Sequence, residues 1–183
     1  MTQLSDDELV GLYCNGNTAA FETLFDRHHV SVFNFSRVLL RDEHEAEEIT
    51  QETFMALARS ARSYEARGTF KPYLMQIARN QCLNRLSSRQ VRRRVIAQNG
   101  VAVLEVADDE PSPLQQSEFN EHLSRIREAL EHLPARQREA LALYAFEEMS
   151  YDQIAQAMAM PINTVKTLIF RARAELKNKL ESQ

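Results

Sequence analysis

Tryptophan is absent from this chain, and glycine and proline are scarce, with four and five residues out of 183. No sustained alternation of Val, Ile and Thr stands out, so a strand-based fold is disfavoured and an all-α protein is expected. Nothing approaches the run of about eighteen apolar residues that a membrane-spanning helix needs. The N-terminus opens with polar and acidic residues and shows no signal peptide. Only two cysteines occur, Cys14 and Cys82, too far apart for a metal motif. They read as free thiols of a reducing cytoplasm, serving as small buried side chains. His28 and His29 have no Cys, Asp or second His at ligand spacing, so no metal is expected. Nucleophile–base pairings and phosphate-cradling glycine loops are also missing, so neither a cofactor nor an enzymatic activity is expected.

What the chain does have is charge sorted into blocks. The net charge of −4 disfavours a nucleic-acid binder only as an average. Between Asp42 and Ala58 the formally charged residues are all acidic, and between Arg67 and Arg94 they are all basic. Glu105 to Glu121 is acidic again, and Asn163 to Lys179 carries Lys166, Arg171, Arg173, Lys177 and Lys179 against Glu175 alone. Such segregation suits a molecule with different partners on different faces.

Periodicity and caps divide the chain into helices. Ser5 and Glu8 have capping-box spacing, and Asn15-Gly16-Asn17 closes that first helix. A second helix is expected over residues 18–40 on the stripe Phe21, Leu24, Phe25, His28, Val32 and Phe35. An acidic third is expected over 43–62, and a fourth over 70–89 or further, with Pro72 in its first turn. Asn99-Gly100 and the run from Asp108 to Pro113 are turn and linker chemistry, and Val101 to Val106 hints at a short extended segment. The expected organisation is therefore a helical domain over 1–92, a linker over 93–117 and a second helical domain over 118–183. There Leu123, Ile126, Leu130 and Leu133 repeat at helical spacing before Pro134, and Ser150 with Gln153 forms a second capping box. A last helix is expected from Asn163.

The C-terminal pair reads as a helix-turn-helix. On the last helix Val165, Leu168, Ile169, Ala172 and Leu176 share one face, while Lys166, Thr167, Phe170, Arg171, Arg173 and Lys177 lie mostly opposite. Periodicity alone leaves a groove-reading face and a merely solvated face equally open. The capping box, the tight turn and the basic second helix together favour DNA. In the N-terminal half, Tyr73, Gln76, Asn80 and Asn84 form a polar stripe flanked by Arg79 and Arg85, and the preceding loop adds Tyr64, Arg67, Phe70 and Lys71. Aromatics, amides and arginines together suit unpaired bases and phosphates, although the pattern taken alone favours an ordinary solvated helix face.

Several segments then resemble an extracytoplasmic-function RNA polymerase sigma factor of the sigma-70 family, in order and over nearly the whole chain. Ala46-Glu47-Glu48 followed by Gln51-Glu52-Thr53-Phe54 resembles the polymerase-docking motif. Gly68 to Asn80 resembles the promoter-melting segment. Leu133 to Glu139, Met149 to Ala155, Pro161 to Lys166 and Arg171-Ala172-Arg173 resemble the −35 reading domain.

The resemblance implies that Glu47, Glu48, Gln51, Glu52 and Phe54 meet the β′ clamp helices of core polymerase, with the β flap a second polymerase contact. Tyr64, Arg67, Phe70, Lys71, Tyr73, Arg79, Asn80 and Asn84 would take the −10 element. Thr164, Lys166, Thr167, Phe170, Arg171 and Arg173 would read the −35 element. It also implies promoter DNA and an anti-sigma factor as partners, no membrane insertion, and a free chain that binds duplex DNA weakly. Departures from the family pattern are Tyr73 for a common Trp, Asn84 for Asp, Asn163 for Gly and Thr167-Leu168 for Ser-Arg. The competing reading is an autonomous helix-turn-helix regulator that binds DNA without polymerase.

Overall fold

The computed structural model describes residues 4–65, 69–98, 130 and 132–181. Seven α-helices occur among them: α1 (Asp6–Cys14), α2 (Thr18–Leu40), α3 (Glu43–Ser60), α4 (Phe70–Gln98), α5 (Ala135–Ala145), α6 (Tyr151–Met158) and α7 (Ile162–Glu181), with a single 3-10 turn at Ala61–Ser63. The described residues hold no strand, so the fold is all-α as the composition suggests.

Helix starts follow their local chemistry. Ser5 Oγ accepts from the Glu8 backbone N–H at 3.3 Å, and Glu8 returns a carboxylate to the Ser5 N–H at 2.7 Å. Ser150 and Gln153 repeat the arrangement at 3.2 and 2.9 Å. Between α2 and α3 a two-residue turn suffices. Arg41 adopts a left-handed φ of 59°, and Asp42 caps α3 by accepting from the Glu45 N–H at 2.8 Å.

Three boundaries differ from the sequence expectation. α3 ends at Ser60 and tightens into the 3-10 turn; α4 runs through the arginine block to Gln98, past the expected domain boundary; and α7 begins at Ile162. The Pro161 carbonyl already accepts from the N–H groups of Thr164 and Val165, at 2.9 and 3.2 Å, so Asn163 is inside the first turn rather than its cap. The expected extended segment at 101–106, most of the 93–117 linker and most of the expected helix before Pro134 lie outside the described residues.

The two halves are not independent cores. Leu24, Val32 and Phe35 of α2, Ile49 and Leu57 of α3, and Leu74, Met75 and Cys82 of α4 belong to one buried cluster with Leu143, Ile154, Val165 and Ile169 of α5 to α7. α4 packs on α6, and α2 packs on α5. Burying each of these larger side chains contributes on the order of 1.5–3 kcal/mol, so the N- and C-terminal helices share apolar surface as well as polar contacts. Cys82 is fully buried, and burial pushes its thiol up to about 11. Both cysteines are unpaired.

Candidate polymerase and promoter surfaces

The acidic helix α3 turns Ala46, Ile49, Thr53 and Leu57 into the core. Its carboxylates are divided between solvent and α4. Arg85 donates to Glu48 at 2.6 Å and to Glu52 at 3.0 Å; one turn on, Arg89 reaches Glu45 at 2.6 Å, Asp42 at 3.3 Å and the Leu40 carbonyl at 3.2 Å. The Arg85 hydrogen bond holds the Glu48 carboxyl below its ordinary range, and the same bond raises the arginine. Glu47 and Gln51 are exposed. Phe54 is 3 % exposed and packs against the rings of Phe21 and Phe25, so it supports α3 from beneath.

The start of α4 borders an open cleft of about 320 Å³, lined among others by Tyr64, Thr69, Tyr73 and Gln76, with Gln156 of α6 at its edge. The Tyr64 and Tyr73 rings lie 5.0 Å apart. Tyr73 is fixed by donating its hydroxyl to Ser60 Oγ at 2.7 Å, and Tyr64 by donating to Asp7 Oδ1 at 2.6 Å. Burial, reinforced by Asp7, pushes the Tyr64 phenol up to about 12, so it remains a donor throughout the neutral range. Asn80 and Asn84 are exposed along α4. Phe70 is 3 % exposed and meets the Tyr64 ring edge-on from inside the fold, while Arg67 lies outside the described residues.

Two of the candidate −10 cations are engaged across the fold. Arg79 is ion-paired with Glu139 of α5, with 14 % and 3 % of the two side chains exposed. Lys71 donates to the Glu147 carbonyl at 2.7 Å and lies 3.1 Å from its carboxylate, which is 3 % exposed. Burial pushes the Glu139 carboxyl above its ordinary range against the pull of Arg79.

In the C-terminal pair, Ala159 turns the chain with a left-handed φ of 51°. Val165, Ile169 and Ala172 of α7 are buried, and Thr164, Lys166, Thr167, Phe170, Arg171 and Arg173 are all exposed, Phe170 at 74 %. Thr167 donates its hydroxyl to the Asn163 carbonyl at 2.8 Å. The Arg173 guanidinium lies 5.2 Å over the ring of Tyr144, itself stacked on Tyr151 at 5.5 Å.

Known proteins share both halves of this arrangement. The family model Sigma-70 region 2 matches residues 24–92, and Sigma-70, region 4 matches residues 123–176. The ECF RNA polymerase sigma factor SigM of Bacillus subtilis is 30% identical over 156 residues, covering 85% of this chain and 92% of that protein. The chain belongs to the extracytoplasmic-function RNA polymerase sigma factors. RNA polymerase sigma factor NccH of Alcaligenes xylosoxydans xylosoxydans is 28% identical over 183 residues, covering 100% of this chain and 98% of that one. Among solved structures, sigma factor RpoE of Bartonella quintana, in complex with the anti-sigma factor NepR, aligns with a TM-score of 0.71 at 27% identity over 88% of this chain and 96% of that one. The protein is thus a transcription initiation factor of the promoter-recognising type, and an autonomous regulator is not supported.

Within this sigma factor, the structure brings Tyr64 and Tyr73 together at the cleft, pairs Lys71 and Arg79 with Glu147 and Glu139, and leaves Asn80 and Asn84 exposed along α4. Sequence reasoning missed five partners: Asp7, Glu139, Glu147, Tyr144 and Tyr151. It also placed Arg85 on the nucleic-acid stripe, whereas the side chain is spent on α3. The matching three- and four-residue spacing of Glu45, Glu48 and Glu52 against Arg85 and Arg89 carried that signal.

Proposed function

We propose that this sigma factor divides its labour between two helical units, residues 1–92 with core polymerase and −10 contacts, and residues 118–183 with −35 contacts. The exposed Glu47 and Gln51, with Glu48 and Glu52 beside them, dock on the β′ clamp helices, and Phe54 shapes that surface from below. The cleft between Tyr64 and Tyr73 receives an unstacked −10 base, offsetting an unstacking cost of a few kcal/mol. Lys71 and Arg79 hold the adjoining strand, with Asn80 and Asn84 further along α4. α7 enters the −35 major groove, where Lys166, Arg171 and Arg173 meet base edges or phosphates and Phe170 and Thr167 meet thymine methyls. The chain performs no chemistry of its own; polymerase supplies it, in the cytoplasm. Among the described residues no helix is long and apolar enough to cross a membrane.

The observation that carries this reading is the cleft. It joins two anchored aromatic rings to the amides of Gln76 and Gln156 beside the start of α4. The solved complex of RpoE with NepR supports an anti-sigma protein as a further partner of this chain. The test is run-off transcription with purified core polymerase and a genomic fragment library, with and without the protein. Defined new start sites sharing two spaced elements are expected. Binding to duplex DNA without polymerase, and no new transcripts, would refute the reading.

A further inference from the structure

Helix α1 precedes both segments matched by the family models, yet its first turn reaches Tyr64, which lines the cleft, and His28, which packs with Tyr64 on Phe70 behind it. Asp7 Oδ1 accepts from the Tyr64 hydroxyl at 2.6 Å, and the Tyr64 ring meets Phe70 edge-on at 6.0 Å. Asp6, the neighbouring residue, lies 2.7 Å from His28 Nε2, and the His28 ring packs on Phe70 at 5.3 Å. The Phe70 ring is therefore flanked by two rings, each held by a carboxylate of the same helical turn. That turn is itself fixed. Arg27 donates to Asp6 at 2.8 Å and to the Leu4 carbonyl at 2.8 Å, and Ser5 and Glu8 close a capping box. The hydrogen bonds from His28 and Arg27 outweigh burial and hold the Asp6 carboxyl below its ordinary range, so the pairing persists at neutral pH.

We propose that Asp6 and Asp7 are positioning residues for promoter opening, setting His28 and Tyr64 against Phe70 so that the cleft is shaped before a base arrives. The proposal rests on the reading of the cleft as the −10 base site. A ring that receives a base by stacking must already hold its orientation, because ordering it at the moment of capture subtracts from the stabilisation of the melted strand. Tyr73 has its own anchor in Ser60, within the same stretch of chain. Tyr64, besides its bonds to Thr69, is tied to a residue 57 positions away, so its orientation depends in part on where α1 docks. Asp6 and Asp7 touch no base; they act through other side chains.

The test uses holoenzyme reconstituted with full-length chains and a promoter found by run-off transcription, supplied either as duplex or with the −10 segment already unpaired. Asp7→Ala is expected to lower transcription from duplex about tenfold and to leave the unpaired template near the wild-type level. Asp7→Asn, whose amide oxygen accepts the same bond, is expected to restore most of the duplex activity. On duplex, Asp7→Ala combined with Tyr64→Phe should be no worse than either change alone, because both remove the bond between these two side chains. Wild-type activity of Asp7→Ala on duplex would overturn the proposal. Equal losses on both templates with a lowered melting temperature would also overturn it, showing a role in folding alone. If the wild-type chain gave no promoter-specific transcript on either template, the sigma-factor reading of the cleft would fall first, and the proposal with it.

Discussion

Removing Arg79 is expected to loosen the contact between the two halves of the molecule in a pH-dependent way. Glu139 has 3 % of its side chain exposed, and Arg79 is its ion-pair partner across the contact between α4 and α5. Breaking a buried pair by deleting one member costs about 3–5 kcal/mol, because the remaining charge is left uncompensated. At about 1.4 kcal/mol per decade, that is a shift of roughly two to three and a half decades in the ratio of closed to opened molecules. Arg136 also attracts the Glu139 carboxylate, which places the expected effect of Arg79→Ala at the lower end.

The pH dependence has a definite sign. Burial already holds the Glu139 carboxyl above its ordinary 4.5, and losing Arg79 removes the largest opposing attraction, so the value rises further. The closed arrangement then binds a proton more readily than the opened one. Closure is therefore favoured at acid pH and lost as pH rises from 4.5 through the elevated value. The Cys82 thiol, which feels Glu139, is pushed up to about 11 and stays protonated across that window. Small-angle scattering of Arg79→Ala should give a larger radius of gyration than wild type at pH 7.5 and a wild-type value at pH 5, with helical circular dichroism unchanged. A variant as compact as wild type at pH 7.5 would refute the reasoning.

Three further outcomes are expected. Arg89→Ala removes the contacts to Glu45, Asp42 and the Leu40 carbonyl from a side chain 31 % exposed; discounted for solvent screening, about 1 kcal/mol is lost and the melting temperature falls by about 2–4 °C in calorimetry. Phe170→Ala, at a position 74 % exposed, should leave the melting temperature unchanged and lower run-off transcription about five- to tenfold, the loss of one good apolar base contact; unchanged transcription would remove Phe170 from the −35 face. Glu47→Lys reverses an exposed charge on α3 and should weaken capture of the chain by immobilised core polymerase several-fold without changing its fold, with the loss shrinking at high salt.

Local chemistry made most of the helices legible. The capping boxes at Ser5 and Ser150, the stripe on α2 and the two-sided pattern of α7 each depend on residues within a few positions of one another, which a sequence displays directly. The start of α7 was misplaced by one residue because Asn163 is a good cap by type, whereas the Pro161 carbonyl takes the first helical bonds. α4 was expected to residue 89 or further, and it runs on to Gln98. Arg85 and Arg89 face carboxylates on α3, and that long-range pairing holds the two helices side by side where α4 passes Leu86.

The same limit explains which candidate residues stand out in the sequence and which of their partners do not. Tyr64, Tyr73, Lys71 and Arg79 stand out by type, since aromatics, amides and cations close together have few other uses at a surface. Their partners do not stand out. Asp7 and Glu139 lie among many other acidic residues in a chain of negative net charge, and only the fold reveals that one is bonded to a tyrosine and the other buried against an arginine. A carboxylate on the surface is worth little, whereas one that is 3 % exposed opposite a cation is costly to leave unpaired. The residues that set the state of the cleft are therefore of the types that are least informative when read one at a time. In this sigma factor the cations proposed to hold the promoter strand are occupied by the molecule's own acids, so strand capture competes with the pairs Arg79–Glu139 and Lys71–Glu147 for the same two side chains.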